Sequence, residues 1–343
     1  MKAWKKAIGI GIAVAAVGFV ILTAAAVLIV TQPWVSANSG SEQRPPVDSK
    51  RLETDTRKLA EDFVPRDWVH TENLDRAAAY IRAEFEKTGA AVQDQVYDME
   101  GRTYRNVIAR FGPDSKDPVI VGAHYDAFSE LPGADDNASG VAGLIELARL
   151  LSRARLQTRV ELVAFTLEEP KTRDGDGLFR SEYGGSARHV RSLQEHGVRP
   201  RIFIGLEMIG YFSDEAGSQA YPSRFLRWLY PSRGDFVAIV GRIGQGNAVR
   251  RVKAAMRGAS KLPVYSMSAH EVIEGVDWSD HANYWKAGYA AVMITDTAPN
   301  RNRNYHTAGD TPDRLDYGRM AMVVQGVYTA VLDFARQSNR LKD

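Results

Sequence analysis

The chain has 343 residues, with 44 Lys and Arg against 42 Asp and Glu, a formal net charge of +2, and no cysteine. Such a length holds one large domain or two ordinary ones, and the balanced charge offers no broad basic field for nucleic acid. Without cysteine there is no disulfide, thiolate nucleophile or sulfur-ligated metal, so any metal centre must be built from His and carboxylate.

From Ala7 to Ser41 no residue is charged, and Ile8 to Val30 is almost wholly apolar. As a helix that run is roughly 34 Å long, enough to cross a bilayer. Lys2, Lys5 and Lys6 precede it and Trp4 and Trp34 flank it. The positive-inside rule then makes residues 1–7 a cytoplasmic stub and 8–30 a single-pass transmembrane signal anchor, with the rest periplasmic or extracellular. Secretion after cleavage near Val35-Ser36-Ala37 is the alternative, against which stands an apolar run longer than a signal peptide uses. Residues 31–47, rich in Ser, Asn, Gln and Pro, read as a linker, and 48–343 as the folded domain.

Within that domain a helix with Leu74, Ala78, Ile81 and Phe85 on one face precedes strand candidates at 91–97 and 104–111. A strand at 119–123, a helix at 141–151, a strand at 160–167 and a helix at 184–195 follow in regular alternation. Further strands are expected at 201–208, 236–240 and 291–295, with a closing helix at 317–335. Strands separated by helices predict an α/β fold with a largely parallel sheet covered on both faces. Gly241, Gly244 and Gly246 do not complete a dinucleotide-binding motif and read as a strand-to-helix turn.

In such sheets reactive groups gather at the carboxyl ends of the strands. Five segments put a His or an acid there: His124 and Asp126; Asp135 and Asp136 in a Gly-rich loop; Glu168 and Glu169; Glu207; and His306 with Asp310 behind it. Each alone reads most simply as an ordinary hydrogen-bonded or capping residue, but five strand ends carrying one each point to a shared site. Zinc takes imidazole and carboxylate, and a pair of zinc ions needs a carboxylate that reaches both. Asp136, Glu169 and Glu207 with neutral His124 and His306 would neutralise such a pair together with hydroxide, leaving Glu168 over as a general base. Asp126, and Asp310 near His306, are placed to orient the imidazoles.

This pattern resembles the co-catalytic zinc exopeptidases, the family of bacterial leucyl aminopeptidases, glutamate carboxypeptidase and the glutaminyl cyclases. The resemblance runs from about Asn106 to Asp316 and rests on His124 to Asp126, Gly133 to Gly140, Phe165 to Glu169, Ser279-Asp280-His281 and Tyr305 to Thr311. It implies a three-layer α/β sandwich with a mixed, mostly parallel sheet, two Zn²⁺ or other divalent ions bridged by Asp136, and Glu168 as the base. It also implies hydrolysis of N-terminal residues from peptide substrates by water activated at the two ions. This chain departs from the family in carrying Glu207 where Asp is usual, and in a longer loop after Glu169 with Lys171, Arg173, Asp174, Asp176 and Arg180. Tyr305 is a candidate for stabilising the oxyanion. The alternatives are a carboxypeptidase with a cationic pocket from Arg173, Arg180, Arg301 or Arg303, a glutaminyl cyclase, and a non-catalytic ectodomain.

Overall fold

The computed structural model describes residues 44–336 apart from position 225, and before them residues 10, 12, 14, 15, 17–19, 22, 23, 32, 33, 35 and 36. Among the described residues no helix is long and apolar enough to cross a membrane. Most of the span expected over 8–30 and about half of the 31–47 linker lie outside them.

Helix α1 (Ser49–Arg57) starts where the Asp48 carboxylate accepts from the backbone N–H of Lys50 and Arg51 at 2.9 and 3.3 Å, capping two orphan donors. Helix α2 (Thr71–Glu86) leads into the antiparallel hairpin β1 (Ala91–Met99) and β2 (Arg102–Phe111). Then come β3 (Val119–His124), α3 (Gly140–Leu151), β4 (Val160–Phe165), α4 (Gly185–Glu195) and β5 (Ile202–Glu207). The short α5 (Leu226–Leu229) lies in a long excursion before β6 (Val237–Arg242). It is followed by α6 (Gly246–Ala259), β7 (Val264–Ala269), α7 (His281–Lys286), β8 (Ala291–Thr295) and α8 (Tyr317–Arg336).

The eight strands form one mixed sheet in the order β1-β2-β4-β3-β5-β8-β6-β7. Four central strands, β4, β3, β5 and β8, run parallel, while β2 and β6 flank them antiparallel and β7 pairs parallel to β6. Successive residues of a strand face opposite sides, and the core divides accordingly. Val119, Val121 and Ala123 pack with α3 and α8 on one face, and Ile120, Val163 and Phe203 pack with α4 and α7 on the other. The register aligns the strand ends: His124 pairs with Phe165, Gly122 with Gly205, and Glu207 with Thr295. The loops after β3, β4, β5 and β8 therefore leave the sheet at one level, while β6 and β7 point their carboxyl ends the other way.

Candidate active site

Those aligned ends bring the sequence-expected residues into one buried cluster. His124 closes β3 and Glu207 closes β5, and His124 Nε2 lies 3.4 Å from Glu207 Oε1 and 3.3 Å from Asp136 Oδ1. The other oxygen of Asp136 faces the second imidazole, with His306 Nε2 3.1 Å from Asp136 Oδ2 and 3.2 Å from Glu169 Oε2. Asp136 is thus shared between two imidazole and carboxylate sets. Glu168 stands further off, its Oε2 4.0 Å from His124 Nε2.

The Gly-rich loop that carries Asp136 is fixed from three directions. Asp310 accepts from the backbone N–H of Asp135 and Asp136, each at 3.1 Å to its nearer oxygen. Asn137 donates to Leu206 O at 2.8 Å and accepts from Met208 N at 3.1 Å, tying the loop to the end of β5 beside Glu207. Arg66, fully buried, donates to the carbonyls of Tyr125, Pro132 and Gly133. Gly133 has φ +53°, and a Cβ there would lie 2.2 Å from Asp136 O, so glycine is needed at the turn.

Asp126 works mainly on the main chain. Its Oδ2 accepts from Glu168 N at 2.9 Å and Glu169 N at 3.1 Å, which fixes the Glu pair. Its carboxylate stands 3.6 Å from His124 Nδ1, while its own carbonyl oxygen is nearer to that nitrogen at 3.2 Å. Asp310 likewise holds backbone amides rather than the His306 ring, which instead stacks on Phe128 at 4.5 Å and Tyr305 at 4.0 Å. Sequence reasoning passed over Arg66 and gave Ser279 no contact of its own; the Ser279 hydroxyl donates to Glu207 Oε2 at 2.6 Å. The Ser-Asp-His motif was the available signal for Ser279, whereas nothing local marked Arg66.

Burial raises the proton affinity of Glu168 and Glu207 and takes Glu169 up to about 7, with the neighbouring Asp136 charge adding to the last. Burial acts on Asp136 in the same direction, but both imidazoles outweigh it and hold Asp136 well below the usual carboxylate range. His124 is raised despite burial by Glu207 and Glu168, and His306 is taken up to about 10 against burial by Asp136 and Glu169. Four buried carboxylates around two imidazoles are a nest short of positive charge. Glu169 Oε1 has no hydrogen-bond partner, and His306 Nε2, though 3.1 and 3.2 Å from two carboxylate oxygens, is not aligned for a hydrogen bond to either. Among the described residues His124, Asp136 and Glu207 form one set with converging ligand atoms, and Asp136, Glu169 and His306 another. Donors of this type and convergence fit two divalent cations.

The loop after β4 frames the cluster. Lys171 lies over the Trp68 ring at 4.3 Å, Arg173 donates to His306 O at 3.2 Å, and Arg180 donates to Asp277 Oδ2 at 2.8 Å. Arg301 is buried and spent internally, on Gln219, Tyr211 O and Phe236 O. Space next to His306, Phe128, Glu169 and Asp136 amounts to about 10 Å³, close to one water. A larger cavity of about 560 Å³ lies elsewhere, between residues 45–51 and Arg149, Leu150 and Arg153, away from the donor cluster.

A family profile described as Peptidase family M28 matches residues 106–331. The chain is 47% identical to the uncharacterized protein YfbL of Escherichia coli over 88% of this chain and 93% of that protein. It is 26% identical to the aminopeptidase YwaD of Bacillus subtilis over 70% of this chain, and spans 47% of that relative's length. Its fold is similar to that of a zinc aminopeptidase from Bacillus subtilis, with a TM-score of 0.68 at 17% identity, covering 88% of this chain and 98% of that one. A glutaminyl cyclase from Bacteroides thetaiotaomicron has the same fold at a TM-score of 0.64 and 19% identity, over 85% of this chain and 99% of the cyclase. With the profile spanning the sheet from β2 to β8 and every donor in the cluster, the chain belongs to peptidase family M28.

Proposed function

We propose that the chain is a two-zinc exopeptidase acting on peptide N-termini, tethered through residues 8–30 with its catalytic domain outside the cytoplasm. The observation that carries the reading is Asp136, whose two oxygens face His124 at 3.3 Å and His306 at 3.1 Å. His124, Asp136 and Glu207 would hold one ion, and Asp136, Glu169 and His306 the other. Bound there, zinc would supply Lewis-acid polarisation of the scissile carbonyl and a lowered water pKa.

The chain's own residues supply the rest. Glu168 and Glu169 together with His124 also converge, so Glu168 competes for a ligand role. Its 4.0 Å separation from His124, against 3.1 to 3.4 Å for the other pairs, supports reading it as the base instead. Burial raises its proton affinity, which suits a group that takes a proton from water and passes it to the leaving amine. Asp126 sets its position through the backbone. The Tyr305 phenol, held neutral by burial and by the nearby carboxylates, is an available donor to a developing oxyanion.

Three of the four arginines that could have received a C-terminal carboxylate, Arg173, Arg180 and Arg301, are engaged with carbonyls or acids. That favours action at N-termini over acidic C-termini, as do relatives named aminopeptidases. The test is a panel of aminoacyl and carboxy-terminal chromogenic peptides, run on chelator-treated and zinc-reloaded protein. Zinc-restored cleavage of aminoacyl substrates is expected; cleavage only from the carboxyl end, or none after reloading, overturns the proposal.

A further inference from the structure

The residues just beyond the apolar run are received in a socket on the domain. Lys253 of α6 is buried, and its Nζ donates to Gln32 Oε1 at 3.1 Å, Pro33 O at 3.3 Å and Ser266 Oγ at 3.1 Å. Gln32 Oε1 also accepts from Ser266 N at 3.2 Å, and Arg257 donates to Val35 O at 3.2 Å. Ser266 lies on β7, an outer strand of the sheet. Tyr230 reaches the same residue, its hydroxyl donating to Ser266 O at 2.8 Å.

Gln32 is two residues past Val30, at most about 7 Å of extended chain. The polar layer outside the hydrocarbon of a bilayer is roughly 5–8 Å deep on each side. If residues 8–30 span a membrane, as proposed above, the β7 edge at Ser266 is therefore held at headgroup depth. The α5 part of the excursion lies at that edge, because Tyr230, directly after α5, bonds to Ser266 there. Two residues before Tyr230 stands Trp228, at 87% the most exposed large apolar side chain of the described residues. Arg224 and Arg227 beside it are also exposed. An indole left in solvent next to two arginines is a composition suited to the interface, where the ring fits among headgroups and the guanidinium groups meet lipid phosphates.

We propose that α5, with exposed Trp228 on it, is a second membrane contact that seats in the headgroup layer of the bilayer crossed by residues 8–30. The inference rests on the anchor reading and adds a two-point attachment that fixes how the domain faces the lipid.

The absence of cysteine makes the test direct. Trp228→Cys and Val96→Cys are made in the full-length chain, labelled with an environment-sensitive fluorophore, and reconstituted into phosphatidylcholine and phosphatidylglycerol vesicles containing acyl-brominated lipid. Val96 is 57% exposed on β1, the opposite edge of the sheet. The label at 228 should be blue-shifted and quenched about twofold or more relative to the label at 96. Adding Arg224→Glu and Arg227→Glu should reduce that difference. Equal quenching at the two sites, in protein that resists an alkaline wash, overturns the contact and leaves the anchor standing. Protein that washes off the vesicles overturns the anchor and the contact with it.

Discussion

Replacing the two adjacent glutamates one at a time separates ligand from base. Glu168→Gln keeps size and polarity, and the backbone N–H at that position still donates to Asp126. Its carboxylate is the one furthest from an imidazole, at 4.0 Å, so little metal affinity should be lost. What disappears is proton transfer, and loss of a general base lowers the rate on the order of 10² to 10⁴, or about 3 to 5 kcal/mol in the barrier. Glu169 lies 3.2 Å from His306 and also lines the second donor set, so Glu169→Gln should weaken one metal site. Part of its activity should return as zinc is raised, because mass action offsets an affinity defect. Metal content by mass spectrometry and kcat across a zinc titration read both effects. A metal-depleted Glu168→Gln with a metal-replete, inactive Glu169→Gln would reverse the roles, and two fully active variants would remove the pair from the site.

Asp136→Ala should lose most of both metal equivalents, since its oxygens face both sets; retention of one full equivalent would contradict a shared ligand. Ser279→Ala removes the 2.6 Å hydrogen bond to Glu207 and should weaken zinc binding roughly 10- to 100-fold, the usual effect of losing a group that orients a ligand; unchanged affinity refutes that role. Gly133→Ala meets both a left-handed φ and the Asp136 carbonyl, and should lower stability by about 2 kcal/mol or more and disturb metal content together; an unshifted Tm counts against it. Burial lowers the pKa of His281 to about 4 from 6.5. The unfolded chain then takes up the proton first, so the stability this gives is whole above pH 6.5 and is lost as pH falls toward 4, by on the order of 3 kcal/mol. Wild type should lose Tm faster than His281→Gln as pH drops from 6.5 to about 5; parallel curves refute the assignment.

The central strands were legible because runs such as Val119 to Ala123 and Ile202 to Leu206 are buried on both faces and read as continuous apolar segments. The donor cluster was legible for the same reason, since each ligand type followed such a run. Strand β7 escaped notice because two of its three inward positions are Ser266 and Ser268, buried at 1% and 2%, which leaves Val264 as the one apolar residue on that face. The reversal of β6 against β8 depends on the excursion between β5 and β6, and connection geometry of that length leaves no local pattern. Asp126, Asp310 and Arg66 act on main-chain amides and carbonyls. Such bonds depend on where the backbone arrives, so residue type alone pointed to the imidazoles for the first two and to nothing for the third.

The cover of β7 has a bearing on how the domain is made and handled. Gln32 is translated 234 positions before Ser266, so this contact cannot form until nearly the whole domain has been made. Closing a loop of that length costs on the order of 5 kcal/mol in chain entropy, which delays the docking further. A bare outer strand is a template for pairing with another chain. A version cut at Arg44 would lose the Gln32 acceptor of the Ser266 amide, and one beginning at Thr31 would keep it. The boundary chosen for truncation therefore decides whether the Ser266 amide on this edge keeps its acceptor.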